Sequence, residues 1–254
     1  VAEARNGTTQ RPVVLFDWGE TLVWIPGMIH DPDRHLDCVA AIFESHVRAP
    51  LQAAGSECGL EAFRECYLQA CRRQIDASRQ TLREHLFADR FAMSFELAGV
   101  RLLPERRVFE GMAHALGEQI TRQARLLEHT AAIVPELARS YRLGLVSNYP
   151  HAPVVRATLE RFKLLNCFDT VVVSGETGWM KPHAQCYRPA IEALSADPAR
   201  TLMVGDDVRN DVEGARELGL HAAWLAPGRK ADARAPIHIQ SLTELPALCE
   251  RLFA

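Results

Sequence analysis

Four short stretches of this chain hold side-chain types that can do chemistry. Asp17-Trp18-Gly19-Glu20-Thr21 offers two carboxyls and a hydroxyl, and Ser147-Asn148 a hydroxyl and an amide. Gly178-Trp179-Met180-Lys181-Pro182 carries one of only three lysines, and Asp206-Asp207 with Asp211 adds three more carboxyls. Carboxylates act as nucleophiles, proton carriers or oxygen ligands for a hard cation, and a lysine among them supplies the opposite charge. Each residue also has a plainer reading. Asp211, ahead of Val212-Glu213-Gly214-Ala215, has the look of a helix cap, Ser147 of a turn residue and Lys181 of a solvated charge.

Their placement along the chain argues for the chemical reading taken jointly. Residues 12–17 (PVVLFD), 143–147 (LGLVS), 170–174 (TVVVS) and 201–205 (TLMVG) are short apolar runs that read as buried strands. The four stretches sit at or just beyond the ends of these runs. In an open α/β sheet, ligands bind outside the carboxyl ends of the strands.

Between and after these runs lie helical patterns over residues 131–141, 154–165, 184–194 and 211–218. A further strand is expected at 221–225, an edge strand at 237–240 and a closing helix at 242–252. Strands alternating with helices imply a doubly wound α/β fold with a mostly parallel sheet. Residues 25–126 have a different texture. Leu36, Val39 and Phe43 recur at helical spacing, as do Phe63, Tyr67, Cys71 and Ile75, then Phe87, Phe91 and Phe95, then Phe109, Met112, Leu116 and Ile120. These four amphipathic helices, with breaks near 50–59 and 99–104, read as helix-on-helix core. The division expected is a core of 12–24 and 127–254, a helical insertion of 25–126, and a flexible N-terminal segment of 1–11.

At 254 residues, 48% hydrophobic and 24% charged, the chain can bury a substantial core. No apolar run approaches the ~20 residues of a membrane span, and residues 1–11 have no signal-peptide core. A net charge of −3 gives no reason to expect nucleic acid as a partner. The cysteines (Cys38, Cys58, Cys66, Cys71, Cys167, Cys186, Cys249) never form a CxxC pair, so a reducing cytoplasm is the expected setting.

The series VVLFDWGETL, GLVSN, GWMKP and VGDDVRND resembles the four motifs of the haloacid dehalogenase (HAD) superfamily. The likeness runs from residue 12 onward, and the helical insertion after the first motif is similar to that family's helical cap. It implies a Rossmann-like core and, in the phosphatase branch, Asp17 as the nucleophile that becomes an aspartyl-phosphate. It also implies Mg²⁺ held by Asp17, the Gly19 carbonyl and Asp206, with Asp211 in the metal set from just outside and Asp207 a helper. Ser147, Asn148 and Lys181 would bind the phosphate, Lys181 also holding Asp17 ionised. The substrate implied is a small phosphorylated metabolite, with no membrane or nucleic-acid partner; the oligomeric state is left open.

The first motif departs from the phosphatase pattern. Its second Asp, the usual general acid and base, is here Gly19, and Glu20 is the nearest carboxyl. A metal site that uses only the backbone at that position survives; proton transfer typically worth ~10²–10⁴-fold does not. Three alternatives follow. A 2-haloacid dehalogenase lacks that Asp and uses no metal, but Asp206, Asp207 and Asp211 would then crowd the nucleophile with unpaired charge. A phosphonoacetaldehyde hydrolase needs a cap lysine, and residues 25–126 contain none. A catalytically weak binding or regulatory protein is the third. The substrate body would meet residues 24–30, including Met28 and His30, and His35 nearby. Arg72, Arg73 and Arg79 are candidate anion contacts that also fit a solvated helix face. Trp18 and Trp179 fit either cleft wall or core.

Overall fold

The computed structural model describes residues 11–27, 29 and 31–254, so what the sequence suggested for residues 1–10, Met28 and His30 lies outside the described residues. The strands are β1 (Val13–Phe16), β2 (Val23–Trp24), β3 (Arg125–Leu126), β4 (Arg142–Ser147), β5 (Thr170–Val173), β6 (Thr201–Gly205), β7 (His221–Leu225) and β8 (Ile237–Ile239). Six of them form one sheet in the order β5-β4-β1-β6-β7-β8, with every pairing parallel. Phe16 at the end of β1 is in register with Leu145 of β4 and Val204 of β6. Asp17, Ser147 and Asp206, each just beyond or at such an end, therefore emerge along one edge.

The alternation of β1 divides the interior in two, as the period of a strand requires. Val13 and Leu15 join Val146, Met203 and Tyr187 under one face. Val14 and Phe16 join the second, larger cluster, which runs without a break into the helical insertion.

That insertion comprises α1 (Pro32–Ile42), α2 (Arg48–Ala53), α3 (Leu60–Thr81), α4 (Phe87–Leu97) and α5 (Arg106–Gln123). Its core is a row of rings: Phe63 meets Phe95 at 6.1 Å and Phe95 meets Phe109 at 5.1 Å, both nearly perpendicular. Such pairs contribute roughly 0.5–1.5 kcal/mol beyond the area they bury. The remaining helices alternate with strands: α6 (Thr130–Ser140), α7 (Ala152–Arg161), α8 (Ser174–Thr177), α9 (Ala184–Ala193), α10 (Gly214–Glu217) and α11 (Leu245–Phe253).

Several local expectations are corrected. The first insertion helix does not break at Pro50; the chain stays helical to Ala53 after a wide π turn over Phe43–Val47. Pro50 has no N–H to give to residue 46, and the wide turn just before it accommodates that loss. Ser174 opens α8 instead of ending a strand, and α7 stops at Arg161. The expected helix over 211–218 is a π turn, Val208–Glu213, followed by the short α10.

Two features that the sequence did not signal fix the insertion in place. β2 and β3 pair antiparallel, Val23 with Leu126 and Trp24 with Arg125, so the chain leaves and re-enters at one point. At its far side, the loop after α3 bonds to the segment carrying Lys181: Met180 N–H donates to the Leu82 carbonyl at 2.9 Å and Glu84 N–H to Gly178 at 3.2 Å. Arg83 lies over one face of Trp179 at 4.1 Å while His183 stacks on that ring at 3.9 Å. Trp179 is thus a clamp between insertion and sheet.

Candidate active site

Asp17 leaves β1 with its N–H bonded to the Val204 carbonyl at 2.9 Å, which ties it to the neighbouring strand. Its Oδ1 accepts from Lys181 Nζ at 2.6 Å, and its Oδ2 from the Thr21 hydroxyl at 3.3 Å. Lys181 Nζ also donates to Asp211 Oδ1 at 2.7 Å and to the Val146 carbonyl at 2.7 Å. All three ammonium hydrogens are therefore taken by protein oxygens. A bound anion would meet the field of Lys181 rather than a free N–H.

Asn148 holds that lysine. Its amide oxygen accepts from Lys181 N–H at 2.7 Å and its amide nitrogen donates to the Lys181 carbonyl at 3.0 Å. The Asn148 side chain, expected to contact substrate, is committed at both ends to positioning Lys181. Ser147 is buried beside it and lines the same cavity.

The acids after β6 divide their work. Asp207 is the helix cap, its Oδ1 accepting from Asn210 N–H at 2.7 Å. The cap is thus Asp207, where the sequence offered Asp211 as one. Asp211 is instead drawn inward, with Oδ1 on Lys181 and Oδ2 accepting from Asp207 N–H at 3.0 Å. Asp206 stands nearest Thr21, whose hydroxyl lies 3.5 Å from its Oδ1. Its backbone carbonyl accepts from Trp224 Nε1 at 2.8 Å.

Two carboxylates thus share one ammonium, with a third, Asp206, close by. Desolvation opposes the Lys181 charge, but Asp17 and Asp211 outweigh it and hold its pKa well above the ordinary lysine value. Burial, then the charges of Asp17 and Asp211, pushes the Asp206 carboxyl up; burial pushes Asp211 up too, despite Lys181. A divalent cation would relieve that strain. Oxygens of Asp17, Asp206 and Asp211 lie within 4.8 Å of one another, an all-oxygen anionic set that fits hard Mg²⁺. Both Asp211 oxygens already accept protein hydrogen bonds, so Asp17 Oδ2 and Asp206 are the more open donors. Gly19 lines the cavity beside them, and a Cβ built on it meets no atom within 4 Å.

The cluster forms the floor of a cavity of about 480 Å³ roofed by the insertion. Trp18, Glu20, Ile25 and Gly27 line it; Arg79 stands exposed at its edge, while exposed Arg72 and Arg73 do not line it. Trp18 is fully buried and packs edge-on against Tyr149 at 4.9 Å. Residues to which the sequence reading gave no role also line the cavity: Tyr149, Phe87, Gln74, Glu84 and Arg90. Arg90 had a signal, for it stands three residues after Phe87 and four before Ser94, on the buried stripe of α4.

With this geometry in place, comparison with known proteins gives the class. The family described as haloacid dehalogenase-like hydrolase matches residues 56–225, and the chain belongs to that family. Among sequence relatives, a glyceraldehyde 3-phosphate phosphatase of Pyrococcus furiosus is 32% identical over 36% of this chain and 40% of its own length. An N-acylneuraminate-9-phosphatase of Mus musculus is 29% identical over 50% of this chain and 53% of its own. The chain spans about two fifths to half the length of these relatives. A solved 2-haloacid dehalogenase from Pseudomonas syringae pv. Tomato covers 95% of the chain, which spans 99% of it, at TM-score 0.69 and 20% identity. A solved HAD phosphatase from Thermococcus onnurineus covers 93%, with 97% of its own chain spanned, at TM-score 0.62 and 23% identity. Likeness at these identities establishes the fold, a parallel sheet flanked by helices. No helix among the described residues is long and apolar enough to cross a membrane.

Proposed function

We propose that the protein is a Mg²⁺-dependent phosphatase that hydrolyses a small phosphorylated metabolite through phosphoryl-Asp17. The observation that carries this reading is the charge count at the cavity floor: Asp17, Asp206 and Asp211 gathered around the single ammonium of Lys181. That cluster has the composition of a divalent-cation and phosphate site and is poorly suited to metal-free chemistry. The sequence relatives named as phosphatases support it. In this reading residues 12–24 and 127–254 are the catalytic core and 25–126 the cap. The free cysteines suit a reducing cytoplasm.

An Asp17 oxygen attacks phosphorus, the bond from phosphorus to the leaving oxygen breaks, and that oxygen takes a proton. Water then attacks the acyl-phosphate, releasing inorganic phosphate and restoring the carboxylate. Lys181 holds Asp17 in place, and Asp211 and Asn148 keep Lys181 in place. Ser147 donates to the phosphoryl oxygens. Asp17, the Gly19 carbonyl and Asp206, together with Asp211, would hold Mg²⁺, which would supply positive charge to a dianionic substrate. Gly19 leaves both proton transfers without a dedicated carboxyl, so leaving groups that need little protonation are favoured, and alkyl phosphates turn over slowly.

The same Gly19 is the observation that favours the 2-haloacid dehalogenase reading, while Asp206 beside Asp17 opposes it. Hydrolysis of an activated aryl phosphate, with Mg²⁺ and with EDTA, tests the choice. Metal-dependent turnover lost in Asp17→Asn supports the phosphatase. Turnover of 2-haloacids in EDTA, with none of the aryl phosphate, would replace it. Turnover of neither would leave the fold as a binding or regulatory protein.

A further inference from the structure

The roof of the cavity contains a charge that the reaction just described does not use. Arg90 is 7% exposed and lines the cavity. Among the described residues no carboxylate lies within 4.0 Å of its guanidinium, and it enters no ion pair. Burying an unpaired charge is costly, and groups that bear such a cost are often found at functional sites.

A chain of hydrogen bonds fixes how the guanidinium is oriented. His35 Nδ1 is 2.9 Å from the Pro26 carbonyl and must donate to it, so Nε2 accepts from the Tyr67 hydroxyl at 3.1 Å. The Tyr67 oxygen then accepts from Arg90 Nη1 at 3.5 Å, and Gln74 Oε1 accepts from Arg90 Nε at 2.8 Å. Gln74 is itself anchored, its amide donating to the Leu86 carbonyl at 3.5 Å. These bonds use two of the five guanidinium hydrogens. Nη2 has no oxygen acceptor among the described residues, and the Cys71 thiol lies beside the guanidinium.

Glu84, which shares the lining, attracts Arg90 from a distance but makes no contact ion pair with it. One Glu84 oxygen accepts from His85 N–H at 2.9 Å and the other from the Ser174 hydroxyl. Further buried polar atoms on the lining have no partner among the described residues: Trp18 Nε1, Tyr149 Oη and His85 Nε2. A row of rings leads from Arg90 to the nucleophile. The guanidinium lies 4.9 Å from the Phe87 centroid, Phe87 lies 5.8 Å from Tyr149, and Tyr149 lies 4.9 Å from Trp18, the neighbour of Asp17.

We propose that Arg90 is an anion subsite: the substrate carries, at the end opposite its scissile phosphate, a second oxyanion group that the open guanidinium edge receives, with the Phe87, Tyr149 and Trp18 rings alongside the body between. The scissile end rests on the phosphatase reading above. The substrate class is therefore a phosphate monoester with a remote carboxylate or a remote second phosphate. The aromatic row sets the distance between the two charges.

The test uses ω-carboxyalkyl phosphates of increasing chain length, the isosteric neutral ω-carboxamidoalkyl phosphates, and alkanediol bisphosphates, with the aryl phosphate as a reference. At one chain length wild type should favour an anionic member over its carboxamide by about tenfold or more in kcat/KM, as charge-assisted pairing implies. Preference for the carboxylate or for the bisphosphate identifies which oxyanion is taken. Arg90→Gln should bring the ratio toward one, and Arg90→Lys should leave an intermediate ratio, because it keeps the charge without the fork. Arg90→Lys also serves should Arg90→Gln fail to fold. Equal treatment of anionic and neutral members at every length, or discrimination that survives Arg90→Gln, overturns the subsite. If wild type turns over none of these phosphates, including the aryl phosphate, the phosphatase reading fails. The subsite is then judged by calorimetric binding of the same series, in which tighter binding of the anionic member, lost in Arg90→Gln, supports it and equal binding overturns it.

Discussion

Asp211 packs its carboxyl against the α-carbon of Gly205 so closely that a side chain there would collide with the Asp211 carboxyl carbon. This contact lets a carboxylate from the π turn reach back to Lys181. Gly205→Ala should displace Asp211, release one arm of Lys181 and lower kcat by about 10²-fold, the usual scale for an ångström-sized misplacement. Steady-state kinetics on the aryl phosphate check this; activity within twofold of wild type would show that Asp211 tolerates displacement.

Lys181 is the only cation bonded to Asp17 and Asp211 among the described residues. Lys181→Met keeps the volume and removes the charge. Breaking a buried ion pair from one side costs roughly 3–5 kcal/mol. The variant should melt well below wild type in EDTA and gain more from added Mg²⁺ than wild type does. Thermal melts in the two buffers read this directly, and equal melting temperatures in EDTA would refute it.

Gly19 marks a position with room. A Cβ there meets nothing within 4 Å, so Gly19→Asp should be accommodated. Turnover of an alkyl phosphate should rise by about 10-fold or more, and that of the aryl phosphate should rise as well, because water attack on phosphoryl-Asp17 gains the same base. No gain on the alkyl phosphate would mean that the missing carboxyl does not limit the reaction.

A buried histidine, His35, and a half-buried one, His151, should make the fold acid-sensitive. Burial, then Arg90, holds His35 down at about 3, and burial, then His114, holds His151 at about 4. Their unfolded value is 6.5. As pH falls from 6.5 towards these values, the unfolded chain takes up protons that the folded chain refuses, so stability is intact above 6.5 and declines below it. For His35 the loss reaches on the order of 4 kcal/mol by pH 3. Melting temperature against pH for wild type and His151→Gln checks the assignment. The variant should fall less steeply between pH 6.5 and 4; parallel curves would contradict it.

The sheet edge that carries the candidate site was legible because short apolar runs ending in Asp17, Ser147 and Gly205 declare parallel strands. The ring-bearing helices were equally plain, since Phe63 to Ile75 and Phe87 to Phe95 keep helical period. Two-residue strands such as β2 and β3 carry no period, and only tertiary pairing reveals them. Asn148 looked like a phosphate contact because a sequence does not say which backbone its amide will meet. Arg90 was overlooked because arginine on a helix is ordinarily solvated, although its spacing from Phe87 puts it on the buried stripe.

The central claim is that Asp17 attacks phosphorus. It is tested most directly by acid-quenching the protein during turnover of the aryl phosphate with Mg²⁺ and mapping its peptides by mass. With no carboxyl at Gly19 to activate water, the second step is slow, and one phosphoryl group should accumulate on the peptide containing Asp17, absent in Asp17→Asn and in EDTA. Undiminished turnover in Asp17→Asn, or a phosphoryl group found only on another residue, would contradict the account.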